Sequence, residues 1–303
     1  MENIELKQYS SLYLNGVIKC LKRNYNRFNN MMDLDVYKFL KPLITYSFSE
    51  EYSYNKGNYG YVLLANNNVV GFFGMIYYRV KSEKNYYTVA NPTTWAIDDG
   101  YRMYIFQVTE KLFSDTDVII DATPSYTELT IETKMFGFNT LSQNKVRFFE
   151  EDISKYNYRI KRMEAPYEFE DNNLYKRFLD NISYDIKSAE IINKSGEKSY
   201  VIYQVVYAKE HLEGCDEVCK LARILSVSNR YIFNDAFMNV FGYIKQIEDI
   251  EALECDSMFI DNDSIYELPH EEKQFTRIIK YNKECDFKNW DLLYTEITLR
   301  NEY

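Results

Sequence analysis

The sequence predicts a mixed α/β protein built as two domains in tandem, residues 1–150 and 151–303. Three observations carry this expectation. A chain of 303 residues, 46% of them apolar, is long and apolar enough for two packed cores. Its hydrophobic spacing switches repeatedly between a period of two and one near 3.6, the signature of strands interleaved with helices. The order hairpin, strand, helix, strand also occurs twice, on either side of a charged stretch from Glu150 to Glu170 that contains Pro166 and has weak apolar periodicity. No residue-level repeat accompanies that recurrence, so the duplication is one of architecture.

Taken in order, "NGVIKCLKRNYNRF" places Val17, Ile18, Leu21 and Tyr25 on one helical face, and "DLDVYKFLKPL" reads as a second helix. "YGYVLLANNNVVGFFGMIYYRV" is a hairpin, with Asn66 to Asn68 supplying the turn. "NPTTWAI" is a strand. From about Arg102 the apolar residues Ile105, Phe106, Val108, Leu112 and Phe113 take helical spacing. "DVIIDATPS" is an apolar strand entering a turn, and "YTELTIETKMFGF" is the helix that follows it. Beyond the boundary, "NNLYKRFLDNI" is helical. "YDIKSAEIINKSGEKSYVIYQVVYAK" folds back around Ser195 and Gly196, and "LARILSVSN" is a strand. A helix is expected from about Asn234 to Leu253, then three strands in "DSMFID", "QFTRIIKYN" and "WDLLYTEITLR".

Charge narrows the function classes. The 36 Lys and Arg against 46 Asp and Glu leave a net charge of -10, which opposes adhesion to nucleic acid or anionic lipid. The 30 tyrosines, some interleaved with lysine, are then strand and half-buried fillers, not a base-stacking surface. The start "MENIELKQYS" lacks a basic segment followed by an apolar one, and the run "VVGFFGMIYY" is too short to span a bilayer, so a cytoplasmic protein without membrane insertion is expected. Cys20, Cys215, Cys219, Cys255 and Cys285 are odd in number and scattered, as reduced thiols are. Cys215 and Cys219 share a helical spacing, but with only His211 and His270 in the chain no metal site is expected.

The richest stretch is "NPTTWAIDDGYRMYIFQVTEKLF", Asn91 to Phe113. A strand that passes through a short turn into a helix points the helix's unpaired N–H groups at one place, and that place attracts anions. Together with "DVIIDATPS" and "TKMFGF", this stretch resembles the GNAT superfamily of acyl-CoA N-acyltransferases. "NNLYKRFLDNISYD" and "LARILSVSN" are similar to the second half of tandem GNAT proteins associated with surface polysaccharides. The resemblance covers about Gly60 to Ile260. It implies two GNAT-like domains, each a mixed, mostly antiparallel sheet with splayed central strands flanked by helices. Acetyl-CoA or another acyl-CoA is the implied cosubstrate, without a metal. The implied acceptor is a small-molecule amine, extending to an amino sugar of a surface-polysaccharide precursor.

Under that resemblance the backbone of Trp95, Ala96 and Ile97 binds the pantetheine arm and polarises the thioester carbonyl. The N–H groups of Arg102, Met103, Tyr104, Ile105 and Phe106 receive the pyrophosphate at the positive end of the helix. Arg102 matches the family's arginine and adds a charge-assisted contact, whereas Met103 and Ile105 stand where the family has glycines.

The chemistry needs a base for the attacking amine and an acid for the departing thiolate. Asp98 and Asp99 end the splayed strand, as base or as helix caps. Thr133 stands where many family members carry the acidic tyrosine, and, as threonine is a poor donor, Tyr126 or water takes that role. Asp121 either points into the crevice at the strand tip or closes a turn with Thr123 and Ser125. Arg177 in "YKRF" binds substrate or forms a surface ion pair. After "LARILSVSN" only Arg230 echoes the loop, so the second domain is expected to shape the acceptor crevice without binding CoA. The competing reading is a non-catalytic GNAT-like binding or interaction protein. A tRNA-dependent ligase would need a basic groove that the acidic balance opposes.

Overall fold

The computed structural model describes residues 2–82, 84–149, 158–163, 169–209, 218–261, 263–287 and 290–300. The boundary expected at residues 150 and 151, with Pro166, His211 and Cys215, lies outside them. The fold is mixed α/β, with mostly antiparallel sheet flanked by helices, as expected. It divides into two compact units, Met1–Asn139 with Ile278–Lys288 and Tyr294–Arg300, and Thr140–Arg277 with Asn289–Leu293 and Asn301–Tyr303.

In the first unit, β1 (Ile4–Gln8), β2 (Gly60–Ala65), β3 (Asn68–Lys81), β4 (Tyr86–Ile97) and β5 (Val118–Asp121) follow one another across the sheet. They are antiparallel apart from the parallel β4–β5 pair. The end of the last strand, Ile278–Tyr281, pairs antiparallel with β5. The β2–β3 turn is built by Asn66 and Asn67 at φ 48° and 65°, left-handed values that asparagine tolerates better than most residues. Successive β2 residues alternate between two cores. Val62 and Leu64 pack with Val17, Leu21 and Leu40 of α1 (Leu14–Asn24) and α2 (Asp33–Thr45). Leu63 and Ala65 face Val108 of α3 (Ile105–Asp115) and Leu129 of α4 (Tyr126–Phe136).

The second unit orders its strands as β12 (His270–Tyr281, through Arg277), β6 (Asn139–Phe149), β11 (Ala252–Asp256), β10 (Val218–Val227), β9 (Lys198–Lys209), β8 (Ile186–Ile192) and β7 (Arg159–Arg162). After α5 (Asn172–Asn181), which precedes β8, come α6 (Arg230–Asp235) and α7 (Phe237–Glu248), and Val146, Phe148, Ile224 and Leu253 pack against Phe237, Val240 and Phe241 of α7. The alternate residues bring charge into the interior. Arg223 and Arg147 hold Glu254 at 2.7 and 3.2 Å. Burial pushes the Glu254 carboxyl up, but the charges of Arg223, Lys145 and Arg147 hold it down at about 2.

Several expected elements differ. The helix from Asn234 to Leu253 ends at Glu248, where Asp249 turns left-handed at φ 52°, and Ala252–Asp256 becomes the buried strand. "DSMFID" is therefore not a strand beyond Asp256, which instead caps a 3-10 turn by accepting from Met258 N–H at 3.0 Å. "WDLLYTEITLR" is not a strand either: Tyr294 lies at φ 64° and residues Glu296–Arg300 are helical. The strands β1, β6 and β7 were not expected. Element order in the two units nonetheless runs in parallel, with a hairpin, a third strand, helix and parallel strand in each.

Candidate functional site

The site begins where β4 and β5 part. They pair only at Val89–Val118 and Ala90–Ile119, while β4 stays paired with β3 as far as Ile97. Asn91, fully buried, donates from Nδ2 to the Ile120 carbonyl at 2.6 Å. That bond satisfies an acceptor that a paired strand would otherwise have to meet, and so permits the separation. Pro92 follows with no N–H to offer. Next, Thr93 and Thr94 bulge opposite Gly74, where a Cβ would lie 2.5 Å from Thr93 Oγ1.

Beyond the bulge the direction of each peptide group is set by alternation. Asp98 N–H donates to the Val70 carbonyl of β3 at 2.8 Å. Antiparallel pairing therefore turns Ala96 toward β3 and turns the N–H and C=O of Trp95 and Ile97 away from it. Ala96 accordingly has its backbone groups committed, which narrows the expected set. The Trp95 carbonyl accepts from the Tyr25 hydroxyl, leaving its N–H and both groups of Ile97 to face the opening. Tyr25 comes from the α1 side and carries no signal in sequence for this contact.

The turn after β4 starts earlier than its periodicity suggests. Residues Asp99–Tyr104 form 3-10 turns that run directly into α3, with Tyr101 N–H on the Asp98 carbonyl at 2.8 Å and Ile105 N–H on that of Arg102. The amides of Arg102, Met103, Tyr104, Ile105 and Phe106 are therefore already inside helical turns. The first orphan donors belong to Asp99 and Gly100. Gly100 is the loop's glycine, and a Cβ there would meet only open space. It precedes Arg102, whereas the sequence pattern looks for glycine after it. Arg102 pairs with Asp99 at 2.6 Å on the surface, with 71% and 87% of the side chains exposed, a weak contact that an anion can displace. Met103 and Phe106 are exposed, while Tyr104 and Ile105 lean on the α3–α4 core.

Each acid–base candidate has a definite place. Asp98 receives Arg23 Nη2 at 2.7 Å and Asn24 Nδ2 at 2.7 Å, so its carboxylate ties the loop to α1. Tyr126 opens α4 with 86% of its surface exposed, beside the box in which Ser125 and Glu128 cap each other's backbone. Thr133 donates its hydroxyl back to the Leu129 carbonyl at 2.6 Å. Asp121 is buried and does close the turn, accepting from Thr123 N–H at 3.0 Å, while Ser125 serves the helix instead. It also hydrogen-bonds Glu132, a residue not anticipated as functional. Burial first, then the charge of Glu128, pushes the Glu132 carboxyl up to about 8. The available signal was a glutamate at the i+3 position of the inward stripe Leu129, Glu132, Phe136.

In the second unit β10 and β11 pair only from Leu221–Ala252 to Arg223–Glu254. Past that point the chain's own residues occupy the gap: Leu292 N–H donates to the Leu225 carbonyl at 2.9 Å, and Ser226 Oγ to Asp291 Oδ2 at 2.6 Å. Arg177 meets Asp291 Oδ1 at 2.6 Å in the interior, so its ion pair is buried and not on the surface. Among the described residues no His, Cys, Asp or Glu group could hold a metal, and no helix is long and apolar enough to cross a membrane.

No family profile and no curated protein matches the sequence. Solved structures do. A GCN5-related N-acetyltransferase from Anabaena variabilis superposes with a TM-score of 0.55 at 10% identity, over 93% of this chain and 73% of that one. The fold is that of the GCN5-related N-acetyltransferases. A glucosamine N-acetyltransferase region of a fungal β-N-acetylglucosaminidase matches the GNAT fold seen here at TM-score 0.57 and 8% identity, over 92% of this chain and 38% of that one. Saccharomyces cerevisiae N-myristoyltransferase with bound myristoyl-CoA matches at TM-score 0.50 and 7% identity, over 93% and 83%.

Proposed function

We propose that this chain is an acyl-CoA-dependent N-acyltransferase whose site lies in the first unit. The carrying observation is the parting of β4 from β5 beyond Ala90, with Trp95 N–H and the Ile97 amide turned toward the opening and the Gly100–Arg102 turn immediately after. Separated backbone groups of this kind can grip a pantetheine arm and polarise a thioester carbonyl. The orphan amides of Asp99 and Gly100, with Arg102 beside them, suit its diphosphate. Acetyl-CoA or a longer acyl-CoA is the cosubstrate in this reading, and a cytoplasmic location goes with it.

The acceptor is a small amine, and an amino sugar is the class we favour. A GNAT-fold neighbour described as a glucosamine N-acetyltransferase region supports that choice. So does a groove of about 500 Å³ next to the loop, lined by Tyr13, Lys19, Arg23, Asn67, Asn68 and Asp98. A surface-polysaccharide precursor carrying such a sugar is the proposed substrate. The second unit reads as the degenerate member of a tandem pair, because Asp291 and Leu292 stand where a pantetheine would lie. A second reading, a non-catalytic GNAT-like binding protein, draws on the hydroxyl of Thr133, which is turned into its own helix.

Melting the protein with millimolar acetyl-CoA tests the proposal. A ligand at ~100 times its dissociation constant adds about 2.7 kcal/mol and raises Tm. Arg102→Glu should abolish that rise by placing an anion beside the diphosphate. An unchanged rise in the variant would mean that a different loop holds it, and no rise with any acyl-CoA would favour the binding protein.

A further inference from the structure

Asp121 lies two residues beyond the last β4–β5 pair, so it stands on the wall of the opening after the strands have separated. Glu132 reaches it from α4, and the two side chains are hydrogen-bonded with 5% and 6% of their surface exposed. Asp121 Oδ1 is held by Thr123 N–H, and Glu132 Oε2 is buried with no hydrogen-bond partner among the described residues. Two touching carboxyl groups with so little water cannot both ionise, so one proton is shared between them. Glu128 adds negative charge from one turn earlier. The cation on the neighbouring strand, Lys280, is tied to the Phe136 carbonyl.

We propose that the Asp121–Glu132 pair, carrying one proton between two carboxyl groups, is the proton store for acyl transfer at this opening. The inference rests on the acyl-CoA reading above and takes a role for which Thr133, bonded to its own helix, is not free. The amine nitrogen bonds to the thioester carbon and loses a proton to the ionised carboxylate. The carbon–sulfur bond then breaks, and the departing sulfur takes the proton of the neutral carboxyl. Amide and CoA thiol leave, and the pair again holds one proton. A shared proton lets one dyad serve as acid and base in a single turnover, as paired groups of displaced affinity do elsewhere.

Infrared difference spectroscopy tests this without knowledge of the acceptor. Wild type at neutral pH should show the carbonyl stretch of a buried protonated carboxylic acid, lost in Glu132→Gln and, because burial and Glu128 still keep Glu132 protonated, retained at a shifted frequency in Asp121→Asn. Adding acetyl-CoA should shift that band, while both variants keep the Tm rise that reports cosubstrate binding. If Tm rises but the wild-type band is absent or unmoved, the pair has no part in the chemistry and the acyl-CoA reading stands. If no acyl-CoA raises Tm, both fall. Should Glu132→Gln fail to fold, the displaced band of Asp121→Asn reports the same contact, and a band at the wild-type frequency in that variant would overturn the pairing.

Discussion

Asn91 and Glu132 are polar side chains in places where a packing rule would put apolar ones, and each changes what the surrounding backbone can do. Replacing Asn91 by leucine removes the bond to the Ile120 carbonyl and leaves that acceptor buried without a partner. The expected cost is about 1–3 kcal/mol, read from urea denaturation, with a larger loss if β4 and β5 cannot then stay apart. Glu132 makes a pH prediction whose sign is fixed. Its folded carboxyl is raised from 4.5 to about 8, so the folded state binds the extra proton. Folding stability should therefore fall as pH rises from about 4.5 to about 8 and level off above, and Glu132→Gln should flatten that slope. Neither residue was legible as functional, because sequence spacing names a face of a strand or helix but not what waits across from it. Asp98 illustrates the converse. Its position at the strand end is legible in the sequence, yet Arg23 and Asn24, whose side chains hold it, arrive from 70 or more residues away.

Elements set by their own turn chemistry were legible. The asparagine triplet gave the β2–β3 turn, Ser195 and Gly196 gave the β8–β9 turn, with Gly196 at φ 85°, and Gly137 at φ 71° ends α4. Elements whose limits depend on tertiary partners are less legible, as at α7, where the apolar spacing runs on into the strand that follows. The bulge of β4 belongs to this second class. Gly74 accommodates it from the opposite strand, since a methyl there would crowd Thr93 Oγ1 at 2.5 Å and the Thr94 carbonyl at 3.2 Å. Gly74→Ala should thus straighten or displace the bulge, re-aiming the Trp95 and Ile97 amides. The expected result is a loss of the acetyl-CoA-induced Tm rise that exceeds any fall in the apo Tm. A variant that binds acetyl-CoA normally would show that the bulge does not set the opening.

At the level of the whole chain, neither unit is a continuous stretch of sequence. The first is completed by Ile278–Lys288 and Tyr294–Arg300, and it includes β5's partner at Ile278–Tyr281 as well as Tyr294, which stacks on Tyr52 and Tyr78. Hydrophobic periodicity reports local structure and carries no signal of such remote completion, so it favours a simple cut between consecutive halves. A fragment of residues 1–149 should consequently fail to show a cooperative urea transition, because β5 would lose one flank and the Tyr52 cluster its centre. A cooperative transition with native-like near-ultraviolet dichroism would show that the remote segments are dispensable.

This arrangement also bears on how the protein is born. A nascent chain emerging from the ribosome cannot finish its first unit until residues near 280 have been released, so until then β5 lacks one strand partner and Tyr52 and Tyr78 lack the ring of Tyr294. Vectorial synthesis, which usually lets an early domain fold first, gives no head start here. Chaperone occupancy of the growing chain, and a yield that depends on temperature during expression, are the cellular signs to look for.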